Sequence, residues 1–173
     1  GLALLVGFMA YRISHDGGLL FEVNPTFSGH CAPLPGISGG EDMSIDRFSG
    51  LLYISSDDRW ATLAGSPRPG AIYTLDTRQP DAVPQMLTAD LPFSFHPHGL
   101  SLYRGDDDEV RLMVVNHRDD GSEWVEIFEV QGLAPLRHLQ SITYPELISP
   151  NDLVATGKNT FYATSDHGFA RGN

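Results

Sequence analysis

The chain has 173 residues, of which 22 are acidic and 11 are basic, and its formal net charge is −11. A charge this negative excludes nucleic acid and anionic membrane surfaces as electrostatic partners. The hydrophobic fraction of 41% is ordinary for a globular protein, and a chain of this length can enclose a sizeable core.

The first ten residues are apolar throughout and are followed by Tyr11 and Arg12. Ten residues are too few to span a bilayer, but they suit the hydrophobic part of a signal peptide or the end of an anchor. A buried first strand is the alternative interpretation. We therefore separate an N-terminal segment, residues 1–30, from a main domain, residues 31–173, and expect a secreted, periplasmic or membrane-associated protein.

Cys31 is the only cysteine, so no disulfide can close within the chain. It is either a buried thiol or half of a bridge whose partner lies beyond Asn173.

After the first ten residues the pattern is all-β, with no sustained helical period. Short apolar runs alternate with clusters of Gly, Pro and Asp, which is typical of strands and turns. The runs occupy residues 51–54, 71–75, 110–115, 125–130 and 136–142. The acidic cluster at 106–109 is predicted to be a solvated turn between two of them.

A weak internal repeat is more informative than any single run. Three segments that open on polar residues, EDM at 41–43, HGL at 98–100 and NDL at 151–153, each lead to a strand that ends in polar residues. A period of roughly 50 residues with several short strands per unit is the signature of propeller blades. Since three blades cannot close a ring, we expect the chain to be part of a longer protein.

Two of these pairs, Glu41–Asp42 and Asn151–Asp152, offer carboxylate and amide oxygens, the ligands that calcium prefers. Neighbours on a regular strand point to opposite faces, so each pair could serve two ions. His98 and His117 lie at the start and the end of predicted inner strands. Imidazole is a poor calcium ligand, so these histidines are better read as proton carriers.

Five segments resemble, in order, the landmarks of the paraoxonase family, whose members open lactones and aryl esters. The joint occurrence is specific and covers roughly residues 31–169. The segments are GEDM at 40–43, FHPHGL at 95–100, VVNH at 114–117, PNDL at 150–153 and FYATSDH at 161–167.

The resemblance implies a six-bladed β-propeller with two calcium ions in its central tunnel. This chain would supply about the first three blades, and the missing C-terminal half would supply the rest. Carried over by motif, the metal residues are Glu41 and Asn151 for a catalytic calcium, and Asp42, Asp152 and the backbone carbonyl of Leu100 for a structural calcium. The family's remaining ligands, an Asn and an Asp-Asn pair, belong to the second half.

The same resemblance makes His98 and His117 the pair that activates water, with Asp166 and His167 as an accessory landmark. Cys31 aligns with a family cysteine whose disulfide partner lies near the C-terminus. Ser165 stands where many relatives have Asn, an exchange that we expect to be tolerated.

The implied function is calcium-dependent hydrolysis of lactones and aryl esters, in which His-activated water attacks a metal-polarised carbonyl. The isolated chain is expected to be inactive. Small-molecule substrates and membrane association through the apolar N-terminus are the expected interactions. Two alternatives stay open: a non-catalytic propeller, clipped by calcium, that binds a protein or glycan, and a gluconolactonase-like enzyme that uses one metal and sugar lactones.

Overall fold

The computed structural model describes residues 1–22, 24 and 26–168. These residues pack as two units, residues 1–33 and residues 34 onward, and each is described by itself. The division predicted at residue 30 stays a prediction.

The first unit contains helix α1, Leu2–Asp16, which buries none of its residues. The alternative of a buried first strand is therefore wrong for this stretch. Leu, Ala, Met and Phe dominate the segment, and these side chains lose little rotamer freedom in a helix or pack along it. No helix among the described residues has both the length and the apolar character needed to cross a membrane.

As far as the structure describes it, the second unit is all-β apart from one short helix, which confirms the predicted fold class. Its described strands form two four-stranded antiparallel meanders and a two-stranded hairpin, an arrangement consistent with part of a β-propeller. The first sheet contains β1 (Gly40–Asp46), β2 (Leu51–Ser56), β3 (Ala71–Asp76) and β4 (Gln85–Met86), with helix α2 (Arg59–Leu63) between β2 and β3. The second sheet contains β5 (Pro97–Arg104), β6 (Val110–His117), β7 (Glu123–Val130) and β8 (Arg137–Ile142), and the third contains β9 (Pro150–Gly157) and β10 (Thr160–Ser165). The number of blades in a complete ring stays a prediction.

The second sheet lies between two hydrophobic clusters, which is why the apolar stretch at 112–115 is continuous rather than alternating. Along β6, Leu112 and Val114 pack into a cluster with the first sheet, whereas Met113 and Val115 pack into a cluster that includes residues of the third sheet. All four side chains are completely buried. The sequence therefore places one face of β6 against each neighbour.

The repeat that was predicted from the sequence has a counterpart in the hydrogen bonds. In each sheet the residue that follows the second strand, or ends it, donates its amide to a carbonyl just before the first strand. The three bonds are Asp57 N to Gly39 O at 3.1 Å, His117 N to His96 O at 3.2 Å, and Asp166 N to Ser149 O at 3.0 Å. Asp57, His117 and Asp166 thus occupy equivalent positions.

The acidic cluster at 106–109 connects β5 to β6, as predicted, but it is not simply solvated. Lys158, the only lysine of the chain, lies 2.5 Å from Asp107 and 2.6 Å from Glu109. These ion pairs hold the pKa of both carboxyls below the usual range. The turn therefore ties the second sheet to the hairpin of the third.

Candidate functional site

Each of the three sheets begins with a β-bulge, and the predicted site residues lie in these bulges. In each, two residues of the first strand oppose one residue of the second, which re-aims the side chains of the bulged strand. The bulged pairs are Glu41–Asp42 opposite Ser55, His98–Gly99 opposite Val115, and Asn151–Asp152 opposite Thr164.

The first and third bulges are held by the same side-chain interaction. The amide of Asp42 donates to Ser55 Oγ at 3.0 Å, and that of Asp152 donates to Thr164 Oγ1 at 3.1 Å. Each carboxylate also accepts the amide of the next residue at 2.7 Å. The two aspartates therefore have matching local geometry on different sheets.

The second bulge is the point where the other two meet. His98 Nε2 lies 2.9 Å from Glu41 Oε1, and His98 Nδ1 lies 2.7 Å from the carbonyl oxygen of Asn151. The imidazole of His98 thus bridges the two residues that the resemblance assigns to one ion.

The two aspartates converge on the backbone next to His98. Asp42 Oδ2 accepts the amide of Leu100 at 2.8 Å, and a β-carbon on Gly99 would lie 2.6 Å from Asp152 Oδ1. It is the amide of Leu100 that is bonded to Asp42 here, and the predicted role of its carbonyl stays untested.

The expectation that adjacent residues point to opposite faces does not hold at the first bulge. Glu41 and Asp42 both contact β5, Glu41 through His98 and Asp42 through Leu100. The bulge interrupts the regular alternation of the strand, so neighbouring side chains can turn toward the same adjacent sheet. The two residues nevertheless reach separate places along β5.

Burial lowers the pKa of His98, and the nearby positive charges of Arg59 and His117 act in the same direction. The hydrogen bond to the Asn151 carbonyl and the charge of Glu41 oppose this change but are outweighed. The side chain of His98 is only 7% exposed, so loss of hydration dominates.

His117 lies beside His98, with ring centroids 5.1 Å apart and the planes inclined at 75°. Its Nδ1 is hydrogen bonded to the carboxylate of Glu123, which begins β7. Its Nε2 is buried and has no hydrogen-bond partner among the described residues. The structure thus brings the two predicted proton carriers together.

Both histidines lie in the wall of a cavity of about 520 Å³. The cavity is lined by the second sheet, by α2 and by the loops beside them. Its titratable lining residues are Asp57, Arg59, His96, His98, His117, Arg118 and Asp119. A small ester or lactone fits this volume, since ligand pockets commonly span about 300–1,000 Å³.

One residue of this wall was missed by the sequence interpretation. His96 is 8% exposed and lies between two carboxylates, with Asp57 Oδ1 at 2.8 Å from Nδ1 and Asp119 Oδ1 at 2.9 Å from Nε2. The repeat in the sequence includes polar residues at the strand ends, among them Asp57. Their convergence on His96 depends on sheet packing, for which the sequence carries no signal.

A buried network behind the cavity was also missed. Asn116 accepts the amide of His96 at 2.9 Å and donates to the carbonyl of Ser94 at 3.1 Å and to Glu126 at 3.0 Å. Since Asn116 directly precedes His117, this network fixes the segments that carry His96, His98 and His117.

The remaining predicted residues are placed as follows. Asp166 follows β10, and Cys31 is an exposed free cysteine, so the interpretation of a buried thiol is wrong. Within the part of the chain that the structure describes, no three His, Cys, Asp or Glu side chains come together as a metal site. The roles of Asp166 and His167, the disulfide and the calcium ligands stay predictions.

A model of the arylesterase family matches residues 22–172. The chain is 38% identical over 155 residues to serum paraoxonase/arylesterase 2 of Gallus gallus, covering 86% of this chain and 43% of that protein. It is 36% identical over 181 residues to serum paraoxonase/arylesterase 1 of Homo sapiens, covering 98% and 49%. It is 35% identical over 168 residues to serum paraoxonase/lactonase 3 of Oryctolagus cuniculus, covering 93% and 46%.

The chain spans a little under half the length of each of these relatives. The family match covers most of the chain and includes all three bulges and the cavity residues. On this basis the chain belongs to the arylesterase family.

Proposed function

We propose that the protein containing this chain hydrolyses carboxylic esters, including lactones and aryl esters. The proposal is supported by the names of the relatives, which are paraoxonases, arylesterases and a lactonase. The observation that carries it is the pair of adjacent histidines, His98 and His117, in the wall of one cavity.

The chemistry that these residues offer is general base catalysis. A neutral imidazole accepts a proton from water at a nitrogen that carries a lone pair, and the water oxygen then attacks the ester carbonyl. A neighbouring imidazole can carry a proton between the site and solvent. A lactone suits this arrangement because its leaving alcohol stays attached to the acyl group.

We further propose that Glu41, Asp42, Asn151 and Asp152 hold calcium. Their donors are hard oxygens, which calcium prefers, and two of the four residues meet at His98 while the other two meet at the Gly99–Leu100 backbone. When bound, calcium would polarise the substrate carbonyl. Calcium takes 6–8 oxygen ligands, so these four residues would supply only part of the coordination.

The two meeting points favour two ions over one. Glu41 and Asn151 both contact the ring of His98, whereas Asp42 and Asp152 both approach the backbone that follows it. A sugar lactonase with a single metal would need only one such meeting point. This separation supports the two-ion proposal.

Helix α1 supports a location outside the cytosol or at a membrane. Leu4 and Leu2 are 80% and 78% exposed, and Phe8 is 60% exposed. Apolar side chains on a helix insert into the boundary between headgroups and acyl chains. We propose that this segment targets or attaches the protein to lipid, and co-sedimentation with neutral phosphatidylcholine vesicles, with and without residues 1–16, tests it.

The function is tested with phenyl acetate and a γ-lactone as probes on the full-length protein. We expect hydrolysis that EDTA abolishes and calcium restores. His98→Gln should lower kcat by roughly 100-fold or more while calcium affinity, measured by isothermal titration, changes little. His30→Gln is the matched control, because His30 is exposed and lies in the first unit. Unchanged turnover of the His98→Gln variant would contradict the proposal, and so would equal loss of turnover and calcium affinity.

A further inference from the structure

His117 and Glu123 form a pair that is fixed by the fold. They are opposite each other in the antiparallel ladder of β6 and β7, so the short hairpin between them sets their separation. Their side chains are hydrogen bonded and only 14% and 15% exposed. A pair this enclosed differs from a solvated surface ion pair.

The carboxylate decides which nitrogen of His117 carries a proton. An ionised carboxylate only accepts hydrogen bonds, so Nδ1 of His117 is the donor. In the neutral ring the lone pair is then on Nε2. This is the atom that is buried, lies in a residue of the cavity wall and has no partner among the described residues.

His98 differs from His117 in this respect. Both of its ring nitrogens face oxygen atoms, those of Glu41 at 2.9 Å and of Asn151 at 2.7 Å. The carboxylates that line the cavity, those of Asp57 and Asp119, lie against His96 and not against His98 or His117. Of the two histidines in ring contact, His117 is the one with a ring nitrogen that has no hydrogen-bond partner among the described residues.

We propose that Glu123 is a positioning residue that keeps His117 protonated at Nδ1 and so leaves the lone pair of Nε2 as the proton acceptor. The inference rests on the proposed hydrolase function. Nε2 receives the proton that water loses as the water oxygen bonds to the ester carbonyl carbon. The carbon–oxygen bond to the leaving group then breaks, and the proton passes from Nε2 to the departing alkoxide, giving one acid and one alcohol.

The tautomer is measured directly by nitrogen-15 NMR of the full-length protein labelled at histidine, with the His117 signals assigned from a His117→Gln spectrum. We expect the neutral ring to carry its proton on Nδ1. Glu123→Gln should spread the proton over both nitrogens, since an amide can donate or accept, and Glu123→Asp should partly restore the native pattern. A native ring protonated at Nε2 overturns the inference, whatever the variants do.

Kinetics with phenyl acetate give the second readout. Glu123→Gln should lower kcat by roughly 100-fold with KM within about threefold, because a base with the wrong tautomer impairs proton transfer rather than binding. The control is Glu129→Gln on the same strand, whose carboxylate faces Arg137 at 2.5 Å, and it should leave kcat and the tautomer unchanged. A Glu123→Gln variant that retains kcat within twofold contradicts the role of Glu123. If the native protein hydrolyses neither an ester nor a lactone, the proposed function is contradicted. The nitrogen-15 measurement then still tests whether Glu123 fixes the tautomer of His117.

Discussion

The α-carbon of Asp152 lies 2.5 Å from the point that a β-carbon on Gly99 would occupy, and the carbonyl oxygen of Asn151 lies 2.6 Å from the same point. The bulges of the second and third sheets are therefore packed so closely that only hydrogen fits between them. Both contacts are with backbone atoms, which cannot move aside as the end of a flexible side chain can.

Gly99→Ala should push the third sheet away from the second. We expect a loss of about 1–3 kcal/mol in the free energy of unfolding, typical of overpacking, and weaker calcium binding in the full-length protein. Urea unfolding and calorimetric titration measure the two effects. Gly40→Ala is the control, because its β-carbon would meet only side-chain methyl groups at 3.9 Å. Equal losses in the two variants would show that close packing at Gly99 is not the cause.

Glu126→Gln should destabilise the second sheet. Glu126 is completely buried, and its carboxylate accepts four hydrogen bonds. The donors are Asn116 at 3.0 Å, Arg118 at 2.7 Å, His138 at 3.0 Å and Ser141 at 2.5 Å. Burial raises the pKa of Glu126, but these bonds outweigh it, and the pKa is lowered overall.

Gln would direct its amide group at hydrogen-bond donors and leave the half-buried guanidinium of Arg118 without its carboxylate partner. We expect a loss of about 3–5 kcal/mol in the free energy of unfolding at pH 7. Glu146→Gln is the control, since Glu146 is exposed and the same change there should cost less than about 0.5 kcal/mol. A loss below 1 kcal/mol in Glu126→Gln would indicate that the network does not depend on the negative charge.

Asp46→Asn should reduce stability in a manner that depends on pH. Asp46 is 6% exposed and accepts hydrogen bonds from Arg104 at 2.6 Å, Ser49 at 2.5 Å and the amide of Phe48 at 3.1 Å. Burial raises the pKa of Asp46, but these bonds and the charge of Arg104 outweigh it and hold the pKa below its ordinary value of 3.8.

Because the pKa is lower in the folded chain than in the unfolded chain, the stabilisation is fully present above the unfolded value and is lost as the pH falls through the folded value. At pH 7 the free energy of unfolding of the native protein should exceed that of Asp46→Asn by about 2 kcal/mol. The difference should shrink progressively below about pH 4. Urea unfolding between pH 7 and pH 2.5 measures it, with exposed Asp81→Asn as the control. A difference that is constant over this range would contradict an ionic contribution.

Strand positions could be predicted because the apolar runs at 51–54 and 110–115 are bounded by turn residues. The polar pairs at the strand starts could be located because they recur in the repeat. The bulges could not be predicted, because nothing in these residue types requires two residues of one strand to lie opposite one residue of the next. The partner of His117 was missed for a related reason: Glu123 becomes its neighbour only through the register of the β6–β7 hairpin.

The three bulges occupy equivalent places in their sheets but hold different residues. Each presents two consecutive residues at the same place in its sheet, and the surrounding ladders resume their regular pairing immediately afterwards. In this chain the bulges hold an acidic pair, a histidine with a glycine, and an amide with an acid. Apart from Gly99, against which the third sheet packs, replacing a bulge residue can therefore change the chemistry at the meeting point while the strands on either side keep their partners. Such a scaffold can diversify in activity through a few codons rather than through a new architecture.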